Sequence, residues 1–373
     1  MTGRRSSVAA VFEGVETGLR LRPVEVAAPQ EGEVLLEVAA CGACHSDVHK
    51  LQGHGTVAPP CVFGHELSGT VTEIGPNVAH VRPGNPVVCS FLVPCGRCAA
   101  CASGAEDECA PFRSAMQRDG VRFDGSCRYR LPDGTGLRAS GMGGLVRHVL
   151  LPATAVFPLP SDWPGPLADA AVLGCAGLTA YGAVHRAARL TGGDRVVVIG
   201  AGGVGLCIVA LARHAGAVDT VATDLRPDAR RTAVGFGAAA ALDGAEARLA
   251  DLARATLGKE PDVVFDTIGT PSTLKQALQL VGVGGRVVVT GLGGTSGPGT
   301  IPDLTVFVRR KVTLTGSYAG LPREDMPRLL DAVRAGAFQP AQLISARYPF
   351  TEAARAYADV AHGRVVGRAL IEY

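Results

Sequence analysis

Two textures of hydrophobic patterning divide the chain. In the first half, short apolar runs, EVLLEVAA (33–40), SGTVTEIG (68–75), NPVVCSFL (85–92) and LVRHVLLP (145–152), are separated by Gly and Pro. Runs of this length, bounded by turn formers, predict strands with irregular connections and hence a β-rich domain. Between 110 and 144 the chain turns polar and rich in Gly and Arg; so long a stretch without apolar periodicity predicts a functional or interface loop. From about Cys175 onward the pattern changes. DRVVVIG (194–200), TVATD (220–224), DVVFDTIG (262–269), GRVVVTGL (285–292) and KVTLTGSY (311–318) are nearly continuous apolar runs, as expected of strands covered on both faces. Ala-rich segments, GVGLCIVALARHAG (203–216) and the stretch 227–237, predict helices between them. Alternation of this kind predicts a doubly wound parallel sheet. Two further helices (323–336 and 351–363) and a final strand, RALIEY, follow.

Length and composition change this picture little. A chain of 373 residues can bury a large core and normally forms two domains. With 47% hydrophobic and 19% charged residues and a net charge of +2, it is an ordinary soluble globular sequence. That charge makes no electrostatic case for nucleic acid or an anionic membrane. The first residues, MTGRRSSVAAVFEG, lack the apolar region of a signal peptide, and with eleven cysteines the expectation is reduced thiols, metal binding and a cytoplasmic location. The apolar run 196–212 is broken by four glycines at motif spacing, so it is read as strand, turn and helix rather than as a membrane span.

Two patterns carry chemistry. Cys95, Cys98, Cys101 and Cys109 fall within fifteen residues as C-x2-C-x2-C-x7-C. Four thiolates can close a tetrahedral shell around Zn²⁺ and leave no position for substrate, which makes a structural lobe; a disulfide cluster is the plainer alternative. The second pattern is Gly200-Ala201-Gly202-Gly203-Val204-Gly205, which closes a predicted strand and opens a helix, with Asp224 nineteen residues beyond Gly205. Gly200 permits the turn, Gly202 admits a pyrophosphate to the backbone, and Gly205 allows close helix–strand packing. The helix N-terminus favours phosphate. Asp224 would bind the adenosine ribose hydroxyls and repel a 2′-phosphate, favouring NAD over NADP, although Arg226, Arg230 and Arg231 soften that preference. A Gly-rich turn without nucleotide is the bland reading.

CGACHSDVH (41–49), GHE (64–66), the four-cysteine lobe, LGCAGLTAYG (173–182) and GAGGVG (200–205) occur in the order and spacing of one family. Over nearly its whole length the chain resembles the zinc-dependent medium-chain alcohol dehydrogenases, most of all their long-loop, liver-type and glutathione-dependent formaldehyde dehydrogenase branches. The resemblance implies a GroES-like catalytic domain (1–175 and 319–373) and a Rossmann coenzyme domain (176–318), with the active site in the cleft between them. It implies two zincs per chain: a catalytic one on Cys44, His65 and Cys175, with a position open to substrate, and a structural one on the four-cysteine lobe. The worked example of a two-cysteine, one-histidine catalytic zinc in general accounts is alcohol dehydrogenase itself.

By the same resemblance Asp47 fixes the His65 imidazole and Glu66 stands beside the metal as a transient ligand. Ser46 and His49 form a proton relay through the nicotinamide ribose. Thr179, Ile268 and Leu292 would line the nicotinamide, and Arg368 and His45 would face the pyrophosphate. Imidazole is a pH-dependent anion partner, so coenzyme binding is expected to weaken as pH rises through the His45 pKa. Ser46, Gly55 and Thr56 are small and Phe91 would form an apolar wall, which suggests a pocket for branched, cyclic or secondary alcohols. Arg113 stands where the formaldehyde dehydrogenase branch carries a carboxylate-binding Arg, but no acidic partner is found near Gly55 and Thr56.

The resulting expectation is an NAD-dependent alcohol dehydrogenase acting on a small alcohol or carbonyl compound, and a homodimer joined through the coenzyme domains. The alternatives are a formaldehyde dehydrogenase acting on a thiol adduct, a dedicated reductase of one metabolic aldehyde or ketone, and a non-catalytic zinc- or nucleotide-binding protein. Cys41, Cys61, Cys89, Cys127 and Cys207 are read as small apolar side chains.

Overall fold

The computed structural model describes residues 3–293 and 303–373. The chain divides into two compact units, one formed by Met1–Cys175, Leu321–Leu330 and Ile344–Tyr373, the other by Ala176–Gly320 and Asp331–Leu343. The second unit thus takes in residues 331–343, beyond the 176–318 expected. Phe338 from that stretch packs against Phe236, with ring centroids 6.4 Å apart.

In the first unit the predicted strands form one mixed sheet around Glu33–Ala43. This strand pairs antiparallel with Glu66–Ile74, His148–Pro152 and Arg368–Glu372. Neighbours on several sides explain why it is buried almost throughout. Pairing also brings the C-terminal strand beside the residues that lead into Cys44: Ala369 lies opposite Ala43 and Leu370 opposite Gly42. Arg5–Phe12 and Leu19–Val26, whose strand character the hydrophobic runs above did not pick out, pair over eight residues. They close a small barrel with Cys61–Val62, Tyr129–Arg130 and Gly136–Ala139.

The segment 110–144 departs from the loop expected of it. It is folded, with a helical piece at Phe112–Asp119 and two barrel strands. Two of its arginines are buried and paired rather than solvated, so the polar composition does not make the segment a solvated loop. Arg128 donates to both carboxylate oxygens of Glu33 at 2.9 and 3.2 Å, and Arg122 donates to the Leu150 carbonyl. A buried guanidinium held this way anchors the segment to the sheet instead of leaving it mobile.

In the second unit six parallel strands, β1 (Arg195–Ile199), β2 (Asp219–Asp224), β3 (Ala240–Asp243), β4 (Val263–Asp266), β5 (Arg286–Val289) and β6 (Thr313–Gly316), lie in the order β3-β2-β1-β4-β5-β6. This is the dinucleotide-fold order, in which the strand sequence reverses beside β1 and leaves a crevice at the carboxyl ends of β1 and β4. Val197, Ile199, Val221, Val264 and Val287 pack against Leu249, Ala253, Leu257, Ala277 and Leu280 from the covering helices, the burial that the continuous apolar runs anticipated. Among the described residues no helix is long and apolar enough to cross a membrane.

Candidate functional site

The four-cysteine lobe is drawn together by short-range turns. The Cys98 and Cys101 sulfurs are 3.5 Å apart, Cys98 and Cys109 3.9 Å, and Cys95 and Cys101 4.0 Å. A disulfide requires about 2.05 Å, so the disulfide alternative is not what the chain forms. Four sulfurs about 2.3 Å from a tetrahedral zinc stand about 3.8 Å from one another, which matches the spacing found. Backbone N–H groups of Cys95 and Cys98 donate to the Cys109 and Cys95 sulfurs at 3.2 and 3.4 Å. The Cys98 thiol is drawn down to about 7, first by a backbone hydrogen bond at Cys101. Both effects favour thiolate, the form that binds metal.

The second cluster is assembled from distant segments of the first unit. Cys44, His65, Glu66 and Cys175 are all buried, with ligand atoms within 4.8 Å of one another. Cys44 precedes the one-turn helix His45–His49, His65 and Glu66 enter the strand Glu66–Ile74, and Cys175 ends the turn Ala168–Gly174. Asp47 is completely buried; it accepts from His65 Nδ1 at 3.0 Å and from Lys50 Nζ at 2.9 Å. This leaves Nε2 of His65 as the nitrogen available to a metal.

The electrostatics of this cluster follow from its burial. Desolvation opposes charge on Asp47, but His65 and Lys50 outweigh it and hold the carboxyl well below its usual range. Burial likewise opposes charge on His65, yet Asp47 and Cys44 push the imidazole up to about 10. Cys44 sits well below the usual thiol range, chiefly through its hydrogen bond with Cys175, with Arg368 and His65 adding. Burial pushes Glu66 up to about 7 even though Arg368 opposes it, donating Nε to both carboxylate oxygens at 2.9 and 3.1 Å. The hydrogen bond with Cys44, and then burial, push the Cys175 thiol up. In the state that would bind a metal, with the His65 imidazole neutral and both thiols and both carboxyls ionised, the cluster holds four negative groups (Cys44, Cys175, Asp47, Glu66) and two positive ones (Lys50, Arg368). The remaining two negative charges are what a divalent cation neutralises, and buried charge without such compensation is costly. Two thiolates and an imidazole are a donor set suited to zinc.

Ser46 and His49 are half-buried and three residues apart on the same helix, hence on one face. Ser46 Oγ donates to Cys44 Sγ at 3.4 Å. His45 is exposed, with its ring 5.0 Å from that of His49. Although the residue is exposed overall, partial desolvation of its ring first, and then His49, lower its pKa below the ordinary value, despite the Cys44 charge. Phe91 stands edge-on to His65 at 6.0 Å. Arg113 is exposed and donates to the Asp107 carbonyl at 3.0 Å.

In the second unit the glycine motif sits at the carboxyl end of β1. Gly200 has φ +93°, where glycine is favoured. A Cβ on Gly205 would fall 1.9 Å from the Gly200 carbonyl oxygen, whereas one on Gly202 would meet nothing within 4 Å. The motif thus pairs a closed contact with an open face at the start of the helix Gly203–His214, which also carries Val204. Asp224 accepts from the Ala201 and Arg226 N–H groups at 2.8 and 2.9 Å. Arg226 is paired with Asp228 at 2.6 Å and Arg230 with Asp243 at 3.2 Å. Ile268 and Leu292 are exposed, and the Gly293 N–H donates to the Ile268 carbonyl at 3.0 Å, so their loops run side by side. Thr179 is buried on the helix Ala176–Gly182.

Four further residues were not anticipated. Lys50 and Tyr357 donate to Asp47, the latter at 3.3 Å. Thr267 Oγ1 donates to the Ile199 and Gly200 carbonyls at 2.9 and 3.1 Å, linking β4 to the glycine turn. Asp266 is fully buried and accepts from the Ile268 and Gly269 N–H groups. An Asp closing an apolar strand was a signal for the last; for Tyr357 there was none.

Residues 30–161 match the alcohol dehydrogenase GroES-like domain, and 203–335 the zinc-binding dehydrogenase domain. The chain is 34% identical to the NDMA-dependent alcohol dehydrogenase of Amycolatopsis methanolica, over 95% of this chain and 96% of that one. It is 29% identical to a probable S-(hydroxymethyl)glutathione dehydrogenase of Schizosaccharomyces pombe, over 96% and 95%. Among solved structures it is similar to benzyl alcohol dehydrogenase of Acinetobacter calcoaceticus, with a TM-score of 0.91 and 25% identity over 99% of both chains. An alcohol dehydrogenase zinc-binding domain protein from Burkholderia ambifaria gives 0.92 and 28%, again over 99% of both. With both domain types matched in order and relatives aligned end to end, this chain belongs to the zinc-dependent medium-chain alcohol dehydrogenase family.

Proposed function

We propose that the chain is an NAD-linked alcohol dehydrogenase that holds two zinc ions, with Cys44, His65 and Cys175 carrying the catalytic one and Cys95, Cys98, Cys101 and Cys109 the structural one. The observation that carries this reading is the buried donor set of Cys44, His65, Glu66 and Cys175, which in its metal-binding state, counted with Asp47, Lys50 and Arg368 around it, leaves two negative charges for a divalent cation. Zinc held there supplies a Lewis acid for an alcohol or carbonyl oxygen, and a bound nicotinamide accepts or returns the hydride. The chain's own residues do the rest. Asp47 fixes the His65 tautomer, and Arg368 holds Glu66 back in an ion pair. The Ser46 hydroxyl both accepts and donates, so it can take the alcohol proton and pass one on; His49, on the same helical face, can exchange it with water.

NAD is favoured over NADP because Asp224 would face a 2′-phosphate while Arg226 and Arg230 are committed to Asp228 and Asp243. The ribose hydroxyls would have to share Asp224 with the two N–H groups it already accepts. Arg113, exposed and bonded to its own lobe, supports a neutral alcohol rather than a charged thiol adduct as substrate. A homodimer is favoured by Leu304, Val306 and Val308, all exposed on the helix that precedes the edge strand β6.

The test follows NADH absorbance with primary, secondary and aromatic alcohols, the matching carbonyls, and a thiol–formaldehyde adduct. Turnover that is lost on chelation and restored by zinc is expected, with neutral alcohols preferred. Preference for the adduct would move the assignment to the formaldehyde dehydrogenase reading, and zinc-independent turnover would refute the role given to Cys44, His65 and Cys175.

A further inference from the structure

Asp47 is held by donors from three separate parts of the first unit. His65 comes from the loop before Glu66–Ile74, Lys50 from the turn after His45–His49, and Tyr357 from the C-terminal helix Ala353–Ala361. The tyrosine hydroxyl reaches the same oxygen, Oδ2, that accepts from His65. Tyr357 is itself only 2% exposed, so its hydroxyl can find little water, and Asp47 is its observed acceptor. Lys50 on Oδ1 and His65 on Oδ2 already set the plane of the carboxylate; Tyr357 adds a second donor on Oδ2 from a separate element, so the oxygen that meets the imidazole is held from two sides.

We propose that Tyr357 is a positioning residue for the metal cluster: by donating to Asp47 Oδ2 it holds the carboxylate oxygen that orients His65. This rests on the assignment of Cys44, His65 and Cys175 as zinc ligands. Outer partners of metal-bound histidines typically change metal affinity about 10- to 100-fold. Tyr357 lies one hydrogen bond further out, so removal of its hydroxyl is expected to cost about three- to tenfold.

The experiment is Tyr357→Phe in the full-length protein, which keeps the buried ring and deletes one oxygen. Zinc at the two sites is resolved by competition with a chromophoric chelator, and the same protein loaded with cobalt reports ligand geometry through its visible bands. Tyr348→Phe is the control: its hydroxyl donates to Asp359 of the same helix at 2.7 Å, away from Asp47. The expected result is weaker metal binding at one of the two sites and shifted cobalt bands for Tyr357→Phe, with neither change in Tyr348→Phe. Wild-type affinity and bands in Tyr357→Phe would overturn the inference, as would an equal loss in both variants, which would mean only a weakened helix. If the wild-type protein takes up metal at the four-cysteine lobe alone, the ligand assignment itself fails and this inference with it.

Discussion

Gly202 and Gly205 belong to one short motif, yet the structure assigns them different work, and alanine at each separates the two. A Cβ on Gly205 would lie 1.9 Å from the Gly200 carbonyl oxygen and 3.0 Å from its carbon. Both atoms are backbone, so no side chain can turn aside. The start of the helix or the Gly200 turn must move by about an ångström, and overpacking of this kind costs about 1–3 kcal/mol. For a unit of this size each kcal/mol lowers the melting temperature by about 2–4 °C. With the clash at the severe end, Gly205→Ala should therefore melt about 6–12 °C below wild type without any coenzyme present. Gly202→Ala meets nothing within 4 Å, and its backbone, at φ −79°, suits any residue. It should melt with the wild type. Its new methyl occupies the open face instead, so NADH affinity, read by fluorescence titration, should fall at least tenfold. A Gly205→Ala protein as stable as wild type would refute the steric account. A Gly202→Ala protein that binds NADH normally would refute the pyrophosphate face.

Asp47→Asn leaves His65 facing a neutral amide, so zinc affinity at that cluster should drop about 10- to 100-fold in chelator competition while the four-cysteine site is unaffected. Cys98→Ser removes one of four sulfurs from the lobe; metal analysis should fall from two zincs per chain to one, and thermal stability should fall with it. Asp224→Ala should raise the kcat/KM ratio for NADP over NAD, and an unchanged ratio would remove Asp224 from ribose recognition. Asp124 bears on acid stability. Although its partial burial opposes charge, Arg128 and Ser126 lower its pKa from the usual carboxylate range to about 2. A carboxyl whose pKa is lower folded than unfolded stabilises the fold above the unfolded value, and that contribution is lost as pH falls through the folded value. The stability gap between wild type and Asp124→Asn, by urea unfolding, should thus be about 1 kcal/mol at pH 5.5 after allowance for solvent screening, and should close between pH 4 and 2.

The chemistry was legible wherever it is local in sequence. Cys95, Cys98, Cys101 and Cys109 lie within three turns of one another, so their spacing already predicted the sulfur cluster. The glycine motif likewise lies at one strand–helix junction, and continuous apolar runs on both sides identified the parallel sheet. The fold of the segment 110–144 was not legible because composition counts an arginine as polar surface whether or not it is buried on a carboxylate. Only pairing with Glu33, far back in the chain, turns Arg128 into an anchor.

By itself, then, the sequence determined the class of each domain, the residue types able to hold zinc and dinucleotide, and the two short motifs whose geometry is set by neighbouring residues. Only the tertiary structure decided which distant groups complete them. Arg368 reaches Glu66 because the last strand pairs with Glu33–Ala43, and Tyr357 reaches Asp47 because the helix before that strand packs against the helix His45–His49. Gly205 is closed and Gly202 open because of where the Gly200 carbonyl points. Periodicity along a chain reports which face of an element is buried. What that face touches depends on strand register and helix placement, which arise from contacts summed over the whole fold.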